Sequence, residues 1–388
     1  MKEIRKAIPA SFQIITPVHI GSGDKLISGQ DYVSEGNTLK VVSVDQILGN
    51  YAKDKATLSR IEEKLSQGLP IFSVLPGFDA EKFKKYEINI KKQVGGEILS
   101  FIKDPFLKPY IPGSSIKGSI RTVILQHFLK DAPDKLFYSK DGRERVEDPD
   151  LEIFGKDALY DPMKAFVSDD IYFTSGNLTV TSVKLLDIKG NGSYGWKVMG
   201  KGAHISDNIS DATSISLEAL SIASKSSGEF AIDLSFLENY YKDTRIKDFE
   251  KQIIERLKFL FSDFFNEFKK IADEYATREL DAEIDFVDKL NKNGELDSLK
   301  TNLTTIKRNY VNKDNRGIYL RIGWGVGWKG MTGDVFTGES LVKLRGINKL
   351  GRDYSDIFPK TRRYVVANDK TKTEVPAFPM GWIRIEEG

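Results

Sequence analysis

The sequence of 388 residues predicts an α+β fold, because strand-like and helix-like segments alternate along it and 40% of its residues are hydrophobic. Residues 11–20 and 178–186 are rich in β-branched side chains, which is typical of strands. Within residues 246–275 the apolar side chains recur at helical spacing, so we expect one long helix with a buried face. A more polar helical region follows at 281–309, broken near Gly294.

Charge and composition restrict the classes of function. The 58 basic and 56 acidic residues leave a formal net charge of +2, so any surface that binds a polyanion has to be local. There is no cysteine, which excludes disulfides, thiolate nucleophiles and cysteine-based zinc sites. Only three histidines are present, His19, His127 and His204, and we predict neither a metal nor a cofactor. Without a long apolar run or a signal-peptide core, we expect a cytoplasmic protein.

The N-terminal strand leads into a short glycine-rich segment, residues 21–25. Its sequence, Gly-Ser-Gly-Asp-Lys, lets backbone amides approach a ligand, and Lys25 adds a positive charge. A tight turn without a ligand is the alternative interpretation. A β-hairpin is expected over residues 30–44, and a helix begins near Asp45.

Two further segments are predicted to lie at the surface. Residues 80–108 are rich in lysine and poorly periodic, and their charges either solvate the surface or contact nucleic acid. Residues 131–150 are polar and rich in turn formers, so we interpret them as a flexible surface insertion.

The most informative stretch is 110–130, where a Pro-Gly pair precedes an amphipathic helix. Ser114 or Ser115 is expected to cap the first free amides of this helix. Lys117 and Arg121 lie four residues apart on one flank of its first turns, where cations oppose the helix dipole. This placement favours an anion bound at the helix start, although an ordinary capped helix with solvated cations is the alternative. The buried stripe is predicted to contain Ile116, Ile120, Val123, Ile124 and Phe128.

Glycine is unexpected inside this helix, because it costs about 1 kcal/mol relative to alanine. We therefore expect Gly118 to let another backbone come close. A phosphate loop of the Walker type is excluded, because Gly118 is followed by Ser-Ile and not by Lys-Ser.

The second half contains two more glycine-rich segments. Residues 187–211 carry Tyr194, Trp196 and Met199 among lysines, and these side chains either stack on bases or fold onto their own domain. Residues 323–333 hold five glycines, two tryptophans and Lys329, without Rossmann spacing. We prefer a loop whose amides meet a phosphodiester backbone, with tryptophans that stack on bases or pack beneath the loop.

Three of these stretches together resemble the signature blocks of the RAMP superfamily of CRISPR-Cas proteins. They are residues 16–23, 110–121 and 323–333, and their order is similar to that in the fifth subunit of the type III-A Csm effector complex. Shorter blocks at 153–155, 166–170, 358–363 and 381–385 support the resemblance, which spans nearly the whole chain.

The resemblance implies a fold and a role. The fold is two tandem RRM-like (ferredoxin-like) domains: residues 1–213 with insertions, and residues 214–388 with a long helical insertion and the glycine-rich loop. The role is that of a non-catalytic RNA-binding subunit that caps the end of the complex holding the 3′ part of the CRISPR RNA. It assists maturation of that RNA in antiviral defence.

The resemblance also implies partners and contact residues. The partners are the CRISPR RNA, the other Csm subunits, chiefly the repeated backbone subunit, and host nucleases that trim the guide. The 187–211 loop corresponds to a thumb-like hairpin that enters the duplex of guide and target. The residues expected to contact RNA or a neighbouring subunit are His19, Gly21, Ser22, Gly23, Lys25, Gly113, Ser114, Ser115, Lys117, Gly118, Arg121, Trp196, Gly323, Gly325, Gly327, Trp328, Lys329, Lys360, Arg362 and Arg363.

Two other functions fit the same sequence. In a RAMP endoribonuclease that processes precursor CRISPR RNA, His19 or His127 would act as general acid or base, although both are more typical of structural positions. A subunit of the related type III-B complex is the second alternative. Asp169 and Asp170 are interpreted as a turn at a strand end and not as a two-metal site.

Overall fold

Two large sheets and a set of packed helices make up the chain in a computed structural model, which describes residues 6–155, 161–242, 248–311, 316–331, 333–351, 357–368 and 373–388. The strands in these residues are β1 (Lys6–Ile14), β2 (Gly21–Ile27), β3 (Tyr32–Glu35), β4 (Thr38–Val42), β5 (Lys84–Asn89), β6 (Glu97–Phe101), β7 (Tyr110–Ile111), β8 (Phe137–Lys140), β9 (Arg143–Val146), β10 (Phe166–Ser168), β11 (Ile171–Tyr172), β12 (Leu178–Ile188), β13 (Tyr194–Val198), β14 (His204–Ser206), β15 (Ile215–Leu220), β16 (Lys225–Ile232), β17 (Ile318–Arg321), β18 (Arg362–Asn368), β19 (Glu374–Pro379) and β20 (Trp382–Glu387). The α-helices are α1 (Val44–Asn50), α2 (Lys55–Ser66), α3 (Gly113–Leu129), α4 (Pro149–Phe154), α5 (Leu234–Tyr241), α6 (Asp248–Ser262), α7 (Lys269–Leu290), α8 (Asp297–Val311) and α9 (Gly338–Asn348).

Both large sheets combine strands from distant parts of the chain. The first is antiparallel, with strand order β10-β16-β1-β20-β17. The second has the order β2-β6-β15-β12-β5-β4-β3, and the long strand β12 also pairs with β13 and β18. This mixed architecture confirms the predicted α+β class. The division at residues 213 and 214 stays a prediction, and strands from both sides of it share each sheet.

The helix after the Pro-Gly pair packs as its periodicity predicts. Its stripe residues Ile116, Ile120, Val123 and Ile124 are at most 1% exposed, and Phe128 is partly buried. They share one core with aromatic side chains of the first sheet and of α6. Since a fully buried aliphatic side chain contributes about 1.5–3 kcal/mol, this stripe anchors α3 and thereby positions every side chain on its flank.

The long helix predicted over residues 246–275 is interrupted. Helix α6 ends at Ser262, a short π-helical segment follows at Phe264–Phe268, and α7 then continues to Leu290. Asp263, before the π-helical segment, has a non-helical backbone (φ −138°, ψ 72°), and Phe264, Phe265 and Phe268 are all buried. Packing of three aromatic rings therefore overrides the regular helical period. The predicted break near Gly294 is confirmed between α7 and α8, and positions 246 and 247 lie outside the described residues.

Two predicted loops are strands. The segment 21–25 opens β2, and its pairing with β6 shifts between Gly21 and Lys25, so its extra residues form an irregularity at the sheet and not a free loop. The segment 187–211 forms β13 and β14, which extend the second sheet from β12. The first was mispredicted because pairing with the distant strand β6 outweighs the local preference of glycine for turns. The second was mispredicted because its glycines, which indicate turns, hid two short strands that pair with each other and with β12.

Candidate functional site

The start of α3 is already occupied by the protein's own groups. No side chain of the first turn caps the helix, which corrects the expected role of Ser114 and Ser115. Instead the Gly113 N–H donates to Asp170 Oδ1 at 2.8 Å. A Cβ on Gly113 would lie 2.0 Å from the Ser168 carbonyl oxygen, so glycine is required here by the close approach of β10. The anion that the sequence predicted at this helix start is thus the carboxylate of Asp170.

The two cations of α3 have different surroundings. Arg121 is held by two carboxylates: its Nε and Nη2 donate to Asp150 at 2.6 and 2.7 Å, and its Nη1 donates to Asp161 at 2.5 Å. Its guanidinium also lies 3.8 Å from the centre of the Phe154 ring. Lys117, by contrast, forms no ion pair within the described part of the chain, and burial lowers its pKa. Arg121 therefore links α3 to α4, and Lys117 alone keeps its charge available.

Gly118 does not permit the close approach that the sequence predicted. No atom of the described chain lies within 4 Å of the position that a Cβ would take there. Its contact with RNA or a neighbouring subunit stays a prediction.

His19, in the N-terminal block, is buried. It is 1% exposed, and its Nδ1–H donates to the Glu218 carbonyl oxygen at 2.6 Å. Burial lowers the pKa of His19, so the ring is held neutral. His19 thus lacks the access that an RNA contact or general acid-base chemistry needs. Lys25 is exposed and pairs with Glu97 at 2.7 Å, while Ser22 and Gly23 are exposed on β2.

The signature blocks at 16–23, 323–333 and 381–385 meet at one point of the fold. The Trp324 N–H donates to the His19 carbonyl at 2.8 Å, and the Gly381 N–H donates to the Pro17 carbonyl at 2.9 Å. Gly323 has φ +76°, and a Cβ there would lie 2.4 Å from the His19 carbonyl oxygen. Helix α3 also contacts this region, because the Ser119 hydroxyl donates to the Arg321 carbonyl at 3.1 Å. The blocks are conformationally coupled, and the glycine loop (residues 323–331) is held at a defined position.

A cleft of about 220 Å³ lies between the glycine loop and the segment before β18. Six of the predicted contact residues from two separate blocks come together in it. Its lining consists of Glu279, Ala282, Glu283, Arg321, Gly325, Val326, Gly327, Trp328, Lys329, Pro359, Thr361, Arg362 and Arg363.

Two of the four cations in this cleft are available to a ligand. Lys329 and Arg363 form no ion pair among the residues that the structure describes. The guanidinium of Arg363 lies 5.1 Å from the centre of the Trp324 ring, and its Nε has no hydrogen-bond partner there. Arg362 is occupied, because its Nε donates to Glu283 at 3.3 Å and its guanidinium lies over Phe286. The cleft therefore presents two cations without ion-pair partners beside a glycine-rich backbone, an arrangement suited to a phosphate group.

The fourth cation, Arg321, shapes the loop. Its Nε donates to the Met380 carbonyl at 3.0 Å, and its Nη1 lies 3.7 Å from Glu279. Lys360 lies outside this cleft, in a smaller cavity beside Arg345 and Phe358.

The predicted tryptophans have separate positions. Trp196 is 2% exposed and packs in a core with side chains of α7 and α8, which corrects its predicted RNA contact. β-Sheet pairing of β13 turns its indole inward, and the sequence alone did not show that pairing. Trp328 is partly buried, stands edge-on to Phe358 with ring centres 5.0 Å apart, and lines the cleft.

Sequence reasoning missed the two glutamates at the cleft. Glu279 and Glu283 are one helical turn apart on α7, and both are less than 10% exposed. A spacing of four residues between two glutamates, on a helix with a predicted buried face, was the available signal that both side chains lie on the same face. It was masked because most of the acidic residues on α7 face solvent.

Other classes of site are not formed by the described residues. Within the ranges given above, no group of three or more His, Asp or Glu side chains is arranged to hold a metal ion. Asp169 and Asp170 lie in the connection between β10 and β11, as predicted. No helix in those ranges is both long and apolar enough to cross a membrane.

Comparisons with known proteins agree with the motif analysis. The RAMP superfamily sequence model matches residues 11–328. A relative from Methanocaldococcus jannaschii, "CRISPR system Cms protein Csm5", is 22% identical over 96% of this chain and 87% of its own length. The protein of the same name from Mycobacterium tuberculosis is 26% identical over 33% of this chain, and the match spans only 41% of that relative.

The fold is similar to that of a solved structure. A chain in the cryo-EM structure of a Csm-crRNA-target RNA ternary complex in a type III-A CRISPR-Cas system superposes with a TM-score of 0.69. It is 23% identical, and the superposition covers 98% of this chain and 100% of that one.

Proposed function

This chain belongs to the RAMP superfamily, and from that premise we propose that it is a non-catalytic RNA-binding subunit of a type III-A CRISPR (Csm) effector complex. Support comes from the relatives named Csm5 and from the full-length similarity in fold to a chain of a Csm complex that contains RNA. That solved complex is of type III-A, which favours this assignment over a type III-B subunit.

The observation that carries the proposal is the cleft beside the glycine loop. Lys329 and Arg363 bring positive charge there without carboxylate partners in the described chain, while Gly325 and Gly327 leave the backbone uncovered. A phosphodiester group is the ligand that this chemistry fits, because it accepts charge-assisted hydrogen bonds from cations and amides together. Trp328 adds an aromatic surface at the same place.

The RNA-contact surface differs from the set named from the sequence. We propose that Lys329, Arg363 and Trp328 are its centre and that Lys117 contributes from α3. Arg121 and Arg362 are excluded from it because carboxylates already bind them. The exposed β2 residues Ser22 and Gly23, with Lys25, and the exposed Ser114 stay candidates for contacts with RNA or a neighbouring subunit.

In the complex, the subunit caps the end that holds the 3′ part of the CRISPR RNA and assists its maturation. Its neighbours are the repeated backbone subunit and, during maturation, the nucleases that trim the guide. The hairpin formed by β13 and β14 has an exposed tip at Met199–Lys201 that suits a thumb-like contact with the duplex of guide and target. The fold proposed with this role is two tandem RRM-like domains, residues 1–213 and 214–388.

The RAMP endoribonuclease is the weaker proposal. Its general acid or base would be His19, whose ring is buried and whose Nδ1–H is already donated to a carbonyl, or His127, whose pKa is lowered by burial. Neither histidine lines the cleft.

The test is a salt titration of RNA binding by the purified complex carrying Lys329→Met and Arg363→Met. We expect affinity for single-stranded RNA to fall at least tenfold at low salt. The slope of log affinity against log salt should become shallower by about 0.7 for each lost phosphate contact. The matched control is Lys270→Met with Lys300→Met, which removes two exposed lysines that are paired with Glu267 and Asp288. Unchanged affinity and slope in the cleft variant would contradict the phosphate role.

A further inference from the structure

The cleft contains an unsatisfied carboxylate in its wall. Glu279 is 5% exposed, and its Oε1 has no hydrogen-bond partner in the described part of the chain. Its Oε2 has only Arg321 Nη1 nearby, at 3.7 Å, which is too long for a hydrogen bond. Because buried carboxylate oxygens almost always accept hydrogen bonds, this acceptor beside a cavity is positioned to take a donor from a ligand in place of water.

Glu283, one turn further along α7, shows that an unused acceptor is not a general property of the buried carboxylates on this helix. It accepts from the Tyr364 hydroxyl and from Arg362 Nε. Burial opposes the ionisation of Glu283, yet the charges of Arg362 and Arg321 hold its pKa below the usual value. Of two buried glutamates on one face of α7, one is fully paired and the other is not.

Charge and size determine what fits the space. Four cations, Arg321, Lys329, Arg362 and Arg363, line the cleft against the two glutamates, so a cationic side chain of a partner is disfavoured. The volume of about 220 Å³ is smaller than the ~300–1,000 Å³ of pockets that enclose whole drug-sized ligands. An anionic ligand with a small flat group that carries an N–H donor meets both conditions.

We propose that the cleft takes one unpaired nucleotide of the bound RNA. Its phosphate lies on Lys329 and Arg363, its base lies beside Trp328, and an N–H on the edge of the base donates to Glu279 Oε1. This inference rests on the proposed RNA-binding function and adds to it a site for a single extruded base. Extruding an already unpaired base requires little energy, since only stacking is lost.

The experiment is abasic scanning with the complex assembled from full-length chains. A set of otherwise identical single-stranded RNAs, each with one abasic nucleotide, is titrated against the wild-type complex and against Glu279→Met, which removes the carboxylate acceptor. We expect one position where loss of the base weakens wild-type binding about tenfold and weakens Glu279→Met binding less than twofold. Glu339→Met, at an exposed glutamate on α9, is the matched control and should retain the full tenfold dependence.

The outcomes separate this inference from the proposed function. If the wild-type complex binds RNA but every abasic position has the same effect in wild type and in Glu279→Met, the nucleotide site is wrong and RNA binding stands. If Glu279→Met instead loosens association with a neighbouring subunit while the dependence on every base is unchanged, the cleft holds a protein group and the inference is overturned. If the wild-type complex binds no RNA through this subunit, the proposed function fails, and the nucleotide site fails with it.

Discussion

The start of α3 and the cleft beside the glycine loop have the same sequence signals, glycine with lysine and arginine, but opposite electrostatics. At α3, Arg121 is bound by Asp150 and Asp161, and the Gly113 amide is bound by Asp170. In the cleft, Lys329 and Arg363 form no ion pair within the described residues, and a glutamate oxygen is left without a donor from the described chain. The comparison teaches that a cation indicates a binding site only where the fold leaves it unpaired. The first region is built for stability, and the second is available to a ligand.

The largest expected effect tests the structural role of the first region. Gly113→Ala places a methyl group 2.0 Å from the Ser168 carbonyl oxygen, so α3 must shift against β10. We expect the free energy of unfolding in urea to fall by about 3 kcal/mol. Gly118→Ala is the control, because its Cβ meets open space in the described chain, and it should be neutral or add up to ~1 kcal/mol of stability. Equal losses in the two variants would refute the close-approach explanation.

Arg121→Met tests the same region through its charge. Removing the guanidinium leaves the carboxylates of Asp150 and Asp161 without their ion pair and removes the cation that lies over the Phe154 ring. We expect a loss of about 2 kcal/mol in the free energy of unfolding, with unchanged RNA affinity per folded molecule. Lys117→Met, four residues earlier on the helix, should cost little stability because Lys117 has no ion pair in the described chain. If Arg121→Met instead lowers the RNA affinity strongly while the free energy of unfolding stays at the wild-type value, Arg121 is part of the RNA-contact surface.

The smallest expected effect lies in the cleft and depends on pH. Burial raises the pKa of Glu279 to about 7, aided by the charge of Asp334 and of Glu283 and opposed by Arg321 and Lys329. An acid whose pKa is higher in the folded than in the unfolded chain destabilises the fold increasingly as the pH rises between those two values. The window here runs from about pH 4.3 to pH 7.

Glu279→Gln should therefore stabilise the protein more at pH 8 than at pH 5, because the folded chain disfavours the charged form of Glu279. Urea unfolding at the two pH values measures the difference, and Glu339→Gln should show none. The same gain at both pH values would mean that Glu279 titrates as an ordinary surface acid. A variant that is more stable yet binds RNA less tightly would be the clearest sign that the cleft is kept for a ligand.

The sequence by itself determined the features that depend on neighbouring residues. Apolar periodicity located the buried stripe of α3, a glycine located the break before α8, and β-branched residues located strands such as β1 and β12. The motif blocks were sufficient to indicate the RAMP superfamily. These signals are local, because helix and strand faces are set by side chains a few positions apart.

Only the tertiary structure decided which of the predicted residues remain available. Arg121 is neutralised by residues 29 and 40 positions later, and the amide of Gly113 by one 57 positions later. Hairpin pairing of β13 with β12 turned Trp196 inward, and long-range packing brought Glu279 beside Lys329 and Arg363. Charge compensation and burial depend on distances in space, and the sequence between two such partners carries no record of them.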